Sequence, residues 1–210
     1  MDLRAKSGFT LIELLAVLLI LGILTTLLVV NLVGTTEVIK SETTLITLRK
    51  LQGGLEEYFN EFGDYPPSSF APEQGVSNDG TNVGGEALVV ALWSKGWDAG
   101  GHLADLAHEL VNADQDQSAT TLTDLASRQL FELPDEWENP IAYLHHRDYG
   151  GRGQGYVTLD PDTGEELHTL VRAAHDEKIG RFYQHASFQL ASAGPDGRFG
   201  TEDDVVNFER

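Results

Sequence analysis

Residues 8–30 read GFTLIELLAVLLILGILTTLLVV, an apolar stretch with one acid, Glu13, in its first turns. The apolar character runs from Phe9 to Val33. As a helix rising ~1.5 Å per residue, this run measures ~37 Å, more than the ~30 Å hydrocarbon core of a bilayer. A secretory signal has a shorter apolar region followed by a small-residue cleavage site, and nothing of that form follows here. A membrane-spanning helix over 9–33 is therefore expected. Arg4 and Lys6 precede the run, whereas Glu37 and Glu42 follow it with Lys40 as the only nearby base. The positive-inside tendency places the N-terminus in the cytoplasm and the C-terminal bulk outside.

Glu13 needs an explanation. An ionisable group inside lipid costs ~3 kcal/mol on insertion scales, so it normally has a partner. Nothing basic lies near it on the same helix after Lys6. The best partner is a cation on a neighbouring molecule, and cleavage after Gly8 creates one, the α-amino group of Phe9. The simpler alternative is a plain anchor whose Glu13 reaches back to the interface.

The stretch KSGFTLIELL resembles the class III signal of type IV pilins and of the pseudopilins of type II secretion. It has a short basic leader, Gly8 before the cut, Phe9 as first mature residue and Glu13 as the fifth. The resemblance implies cleavage between Gly8 and Phe9 by a prepilin peptidase on the cytoplasmic side, with N-methylation of Phe9. It also implies that Glu13 pairs with the new amine of an adjacent subunit during filament assembly. LVVNLVG departs from the family's VVPN stretch: Asn31 and Gly34 are retained, but Val30 stands where proline is frequent. Proline kinks a helix and removes a donor, so its absence bears on whether the helix unwinds there.

With 14 basic and 33 acidic residues, the chain has a net charge of −19 and a pI near 4.5. That balance repels nucleic acid, whose binding needs Lys and Arg on phosphates; it suits divalent cations. There is no cysteine among the 210 residues, which excludes disulfides and thiol catalysis. A head that lacks disulfides needs another staple, and a metal ion is one.

After the span, Leu45, Leu48, Leu51, Leu55, Tyr58, Phe59 and Phe62 recur at three- and four-residue steps. They predict an amphipathic continuation of the helix over 34–63, its apolar stripe facing a head. Gly53 and Gly54 mark either close packing or a bend. Pro66 and Pro67 cannot continue the helix, which should end by Gly63. LEEYFNEFGDYPP resembles the helix end of pseudopilins.

Residues 64–134 form a variable insertion by this reading. SSFAPEQGVSNDGTNVGGE is a turn-rich loop; EALVVALWSKGW and HLADLAHELV read as short amphipathic helices, with Trp93 and Trp97 on an apolar helix face. NADQDQSATT reads as a plain loop rather than a minor cation site. FELPDEWENPIAYLHH resembles the family's Asp-x-Trp-x-Asn-Pro-x-x-Tyr segment through Asp135, Trp137, Asn139, Pro140 and Tyr143, with Trp137 expected to pack on the long helix. GYVTL and EELHTL, joined at Asp160–Gly164, predict a hairpin, and SFQLAS a further strand. The expected fold class is α+β and, by the resemblance, pilin-like: a long N-terminal helix, half transmembrane and half amphipathic, packed on a small antiparallel β-sheet. A leader at 1–8 and a β-sheet head at 135–210 complete the organisation.

The tail SAGPDGRFGTEDDV concentrates Asp196, Glu202, Asp203 and Asp204 among glycines. Oxygen ligands on a flexible loop suit Ca²⁺, which takes 6–8 of them at ~2.3–2.6 Å; the alternative is a solvated acidic turn. The tail resembles the C-terminal calcium loop of the major pseudopilin. By that resemblance Asp196, Asp203 and Asp204 offer carboxylates and Ala193 a backbone carbonyl. Further carbonyls or the Thr201 hydroxyl complete the shell, and Glu202 stays in solvent.

His102 and His108 lack metal spacing on a helix, and His145 and His146 are expected on opposite faces of a strand, so zinc is disfavoured. Ser187 near His185, or Ser192 near Asp196, lacks a nucleophile elbow. No phosphate-cradling G-x-x-x-x-G-K occurs. An enzyme is not expected. The resemblance implies a major pseudopilin that polymerises in the periplasm to help drive protein export. Its implied partners are copies of itself in a helical filament, the prepilin peptidase, other pseudopilins and the inner-membrane secretion platform. It implies a single-pass protein of the bacterial inner membrane. A surface type IV pilin, for adhesion or motility, is the runner-up; the acidic tail and absent cysteines speak against it. A non-polymerising, membrane-anchored binding or sensor module is the alternative from a different class.

Overall fold

The computed structural model describes residues 10–76, 80–95, 97 and 103–209, with the side chains of 28–34 outside the description. The chain divides into two compact units, Met1–Ile39 and Lys40–Arg210. Helix α1 runs from Leu11 to Phe62, 52 residues. Its backbone is helical through Val30, Asn31 and Gly34, as a residue other than proline permits.

In the first unit, every large apolar side chain from Leu11 to Leu27 is exposed, Leu11 at 84% and Val17, the least, at 47%. Among the described residues no helix is long and apolar enough to cross a membrane. The run expected to span includes Phe9, which lies outside the described residues, and the side chains of 28–33, which do too.

In the second unit the stripe divides. Leu48, Leu51 and Leu55 are fully buried, whereas Phe59 and Phe62 remain half exposed, Phe59 beside Tyr65 and Phe62 beside Trp97. Gly54 marks close packing, not a bend: a Cβ there would collide with the Leu103 side chain. Gly63, in the left-handed region at φ 77°, donates its N–H to the Phe59 carbonyl at 2.8 Å and ends the helix. The Tyr143 hydroxyl then donates to the Pro66 carbonyl, tying the chain beyond the helix to the sheet.

Helix α2 spans Val83–Leu92, and the strands are β1 Ala142–His145, β2 Gln154–Leu159, β3 Glu166–Val171, β4 His175–Asp176, β5 Arg181–Phe182, β6 Phe188–Ser192 and β7 Val205–Val206. They form three antiparallel sheets rather than one: β1-β6-β7, the β2-β3 hairpin and the β4-β5 ribbon. The SFQLAS strand pairs with β1, where Ala142 faces Ala191, and not with the hairpin. Leu48, Leu51 and Leu55 share one core with Leu88 and Leu92 of α2, Tyr143 of β1, and Phe188 and Leu190 of β6. This is the α+β, pilin-like arrangement of a long helix followed by small antiparallel sheets.

Three local expectations change. Of HLADLAHELV, the described residues 103–111 make a 3-10 turn, Leu106–His108, instead of an α-helix. Leu103 and Leu106 are drawn into the core, Asp105 pairs with Lys50 at 2.7 Å, and Val111 exchanges backbone hydrogen bonds with Glu132. Those contacts outcompete helix continuation. Trp93 and Trp97 lie beyond the end of α2, packed against the core rather than sharing a helix face. His145 and His146 do not oppose one another. The strand ends at His145 and a 3-10 turn begins at His146, so the two rings lie side by side with centroids 4.3 Å apart.

Candidate functional site

Gly8 and Phe9, the expected processing residues, lie outside the described residues. Glu13 stands in the first turn of α1, where one carboxylate oxygen accepts from the Thr10 amide at 2.8 Å and the Thr10 hydroxyl at 2.7 Å. The Glu13 amide points back to the Thr10 hydroxyl at 3.4 Å. This is a capping box, in which the acid satisfies donors that a helix start leaves free. Sequence reading of Glu13 as an acid awaiting a partner missed this local role, although the spacing T-x-x-E spelled it out.

The C-terminal loop begins where β6 ends. Gly194 and Gly197 adopt φ of 64° and 67°, and a Cβ on Gly194 would strike the backbone of Asp203. The two arms of the loop therefore touch. The Thr201 hydroxyl donates to an Asp203 carboxylate oxygen and lies 3.4 Å from one of Asp204, so both acids converge on one point. The other Asp204 oxygen accepts from the Gly200 amide at 2.9 Å. Asp196 is turned differently, accepting from the Arg198 amide at 2.7 Å, and it joins no three-carboxylate group with the other two. Ala193 is buried and Glu202 exposed. Hard oxygen donors on two touching arms fit Ca²⁺. Asp203 and Asp204 converge on the Thr201 hydroxyl, whereas Asp196 is held by the Arg198 amide.

Asp135 anchors this loop from the side. One of its oxygens accepts from the Trp137 and Asn139 amides, each at 2.9 Å, and the other from the Ser192 hydroxyl at 2.6 Å. Ser192 in turn accepts from the Gly194 amide at 3.1 Å. Burial pushes the Asp135 carboxyl above its ordinary pKa, and those three donors oppose the rise. Asn139 carries the chain onward, accepting from the Leu159 amide at 2.7 Å. Trp137 is half buried, with the Lys40 ammonium 5.7 Å from its ring centre, so it meets α1 through a cation rather than as deep core. Asp135→Ala strands two amides and a hydroxyl. It should cost about 3 kcal/mol, a fall of roughly 6–12 °C in the melting point of the full chain. Asp135→Asn should recover part of that loss.

A second acidic grouping was not expected. Asn82, at φ 53°, precedes α2, and Gly84 and Gly85 let the helix start press against β1 and β2. The Gly85 amide donates to the Tyr156 hydroxyl at 2.9 Å. This close approach carries Glu86, the next residue, into the interior, where it is fully buried. One oxygen each of Glu86, Asp114 and Glu132 all lie within 4.8 Å of one another. Glu132 accepts from the Asn82 side chain at 2.8 Å and from the Ala113 amide at 3.1 Å. Burial first, and then the negative charges of Asp116, Asp114 and Glu132, push the Glu86 pKa up to about 10. Burial does the same to Glu132, up to about 8. The one signal in the sequence was an acid wedged between two glycines and an apolar run, GGEALVV.

Residues 3–29 match the prokaryotic N-terminal methylation motif. A helix that opens on this motif and carries a small α+β head defines a pilin-like subunit. Over 203 residues, 97% of this chain and 91% of the relative, the chain is 25% identical to type II secretion system core protein G of Escherichia coli (strain K12). It is 37% identical to the protein of the same name from Aeromonas hydrophila over 76 residues, 36% of this chain and 50% of that protein. No solved structure matches the chain. The N-terminal motif and the homology to core protein G support a major pseudopilin of a type II secretion system.

Proposed function

We propose that the chain is a structural subunit of a type II secretion pseudopilus, inserted by residues 9–33 and polymerising in the periplasm to help drive export. The observation that carries this reading is the methylation motif over residues 3–29, joined to a helix whose apolar side chains are exposed from Leu11 to Leu27. Such a surface in water is costly at ~25 cal/mol per Å²; lipid before assembly and neighbouring helices after it are the environments that cover it. The charge asymmetry around the run supports a cytoplasmic N-terminus and a periplasmic head. Processing by a prepilin peptidase between Gly8 and Phe9 frees the amine that Glu13 meets on the next copy. Other pseudopilins and the inner-membrane platform of the secretion apparatus are its further partners.

The loop after β6 holds Ca²⁺ in this reading, with Asp196, Asp203, Asp204 and the Ala193 carbonyl as ligands and Thr201 as a further oxygen. The relatives are structural secretion-system proteins, and this reading requires no catalysis from the chain. Mass spectrometry of the chain isolated from its own membranes tests the proposal. The expected N-terminus is N-methylated Phe9; a chain that still begins at Met1 while secretion proceeds would overturn it.

A further inference from the structure

The insertion over 64–134 has no role in the reading above, yet it supplies all three members of the buried acidic grouping, Glu86, Asp114 and Glu132. Both carboxylate oxygens of Glu86 are buried without a hydrogen-bond partner, in a residue with no exposed surface. A carboxylate in that position forfeits its hydration and recovers nothing from the protein. One of its oxygens lies within 4.8 Å of an oxygen of Asp114 and an oxygen of Glu132. Oxygens that share one Ca²⁺ at ~2.3–2.6 Å are separated by at most about 5 Å, so the three fit around a single ion. The amide oxygen of Asn112 is also buried and without a partner, while its nitrogen donates to the Asp116 carbonyl at 2.9 Å. That bond curls residues 112–116 into a small ring beside the acids.

We propose that Glu86, Asp114 and Glu132, with the Asn112 amide oxygen, form a second divalent-cation site, a Ca²⁺ site that staples three separate segments of the insertion to one another. Three facts about its construction favour a cation. The donors are all oxygen, which disfavours Zn²⁺ with its preference for His and Cys. They come from three separated segments: the start of α2, the 111–116 loop and the strand-like stretch at Glu132. They converge from a helix, a loop and a strand-like stretch without a regular octahedral frame, which suits the larger and less demanding shell of Ca²⁺ over the strict octahedron of Mg²⁺. In a chain that contains no cysteine, the ion ties the loop to α2 and supplies a cross-link that a disulfide would otherwise provide. Glu132 is prepared for the role, because its two oxygens are oriented by the Asn82 side chain and the Ala113 amide.

The site is independent of the C-terminal loop, and its test separates the two. The full-length chain in detergent is stripped with chelator, dialysed against buffered free Ca²⁺, and its bound calcium counted by elemental analysis. The variant Asp203→Asn/Asp204→Asn, which disables the loop, should still bind one Ca²⁺ per chain, and adding Glu86→Gln should remove it or weaken it about tenfold or more. Asp114→Asn, on a half-buried loop residue, serves as the second variant. In an otherwise unaltered chain it should lower bound calcium by one ion, which decides the matter even if the loop variant does not fold. Equal calcium counts in the parent, Glu86→Gln and Asp114→Asn chains up to millimolar free Ca²⁺ would overturn the proposal. The acids would then hold protons alone.

Discussion

Glu13→Ala is expected to leave the chain in the membrane and to abolish filament growth. The structure gives its carboxylate a cap role and the proposed function gives it a pairing role, and the choice of variant isolates them. As the N3 residue of a capping box, it accepts from the Thr10 amide and hydroxyl; a glutamine retains that acceptor. In the proposed assembly it also acts as a charge that attracts the amine of a neighbouring copy, and a glutamine cannot. Losing the pairing of a charge held in lipid costs ~3 kcal/mol, roughly a hundredfold at every subunit addition. A loss of that size at each step ends polymerisation, whereas loss of a cap alone costs ~1 kcal/mol. Glu13→Gln should therefore resemble Glu13→Ala in sheared-filament yield and in cargo export, with subunit levels unchanged. If Glu13→Gln assembles like the parent while Glu13→Ala does not, the acid is a cap and the intermolecular pairing is wrong.

Calcium removal is expected to have the second large effect if the proposed site is occupied. A ligand that binds only the folded chain stabilises it by about 2.7 kcal/mol at a hundred times its dissociation constant. For a chain of this size that corresponds to roughly 5–11 °C in melting point. The full chain should melt lower by that amount in chelator than in excess Ca²⁺. Asp203→Asn/Asp204→Asn should lose the part due to the C-terminal loop and keep any part due to Glu86, Asp114 and Glu132. Without the ion, Asp203 and Asp204 face one another across a single hydroxyl, and Asp196 stays with the Arg198 amide. The loop leads into β7, which pairs with β6 at Ser192–Val205, so its disorder should spread into the three-stranded sheet. Melting points that are the same with Ca²⁺ and with chelator would remove metal from the account of the loop.

Legibility followed the range of the interactions concerned. The stripe Leu48–Leu51–Leu55, the helix stop at Gly63 and the hairpin turn at Asp160–Gly164 depend on residues a few positions apart, and each was readable. The hairpin turn shows why: Asp160 accepts from the amides of Asp162 and Thr163, both at 3.0 Å, and Gly164 closes it at φ 69°. HLADLAHELV failed for the opposite reason. Its apolar period was real, but Leu103 is fitted against Gly54 and Val111 against Glu132, partners that no local window contains. The pairing of β6 with β1 rather than with the hairpin is likewise a long-range choice.

By itself, the sequence determined the membrane-length apolar run, the cleavage and methylation motif with Glu13 behind it, and the acidic C-terminal loop. These are written in residue type and spacing, which local geometry and solvent preference translate directly. Only the tertiary structure decided where the acids of the insertion go. Glu86, Asp114 and Glu132 are separated by 28 and 18 positions in the chain. They meet because Gly84 and Gly85 let α2 press on the sheet while Val111 pairs with Glu132. Burial then takes these carboxyl groups out of water and raises the pKa of Glu86 and Glu132, and burial is a property of the packed chain rather than of any stretch within it.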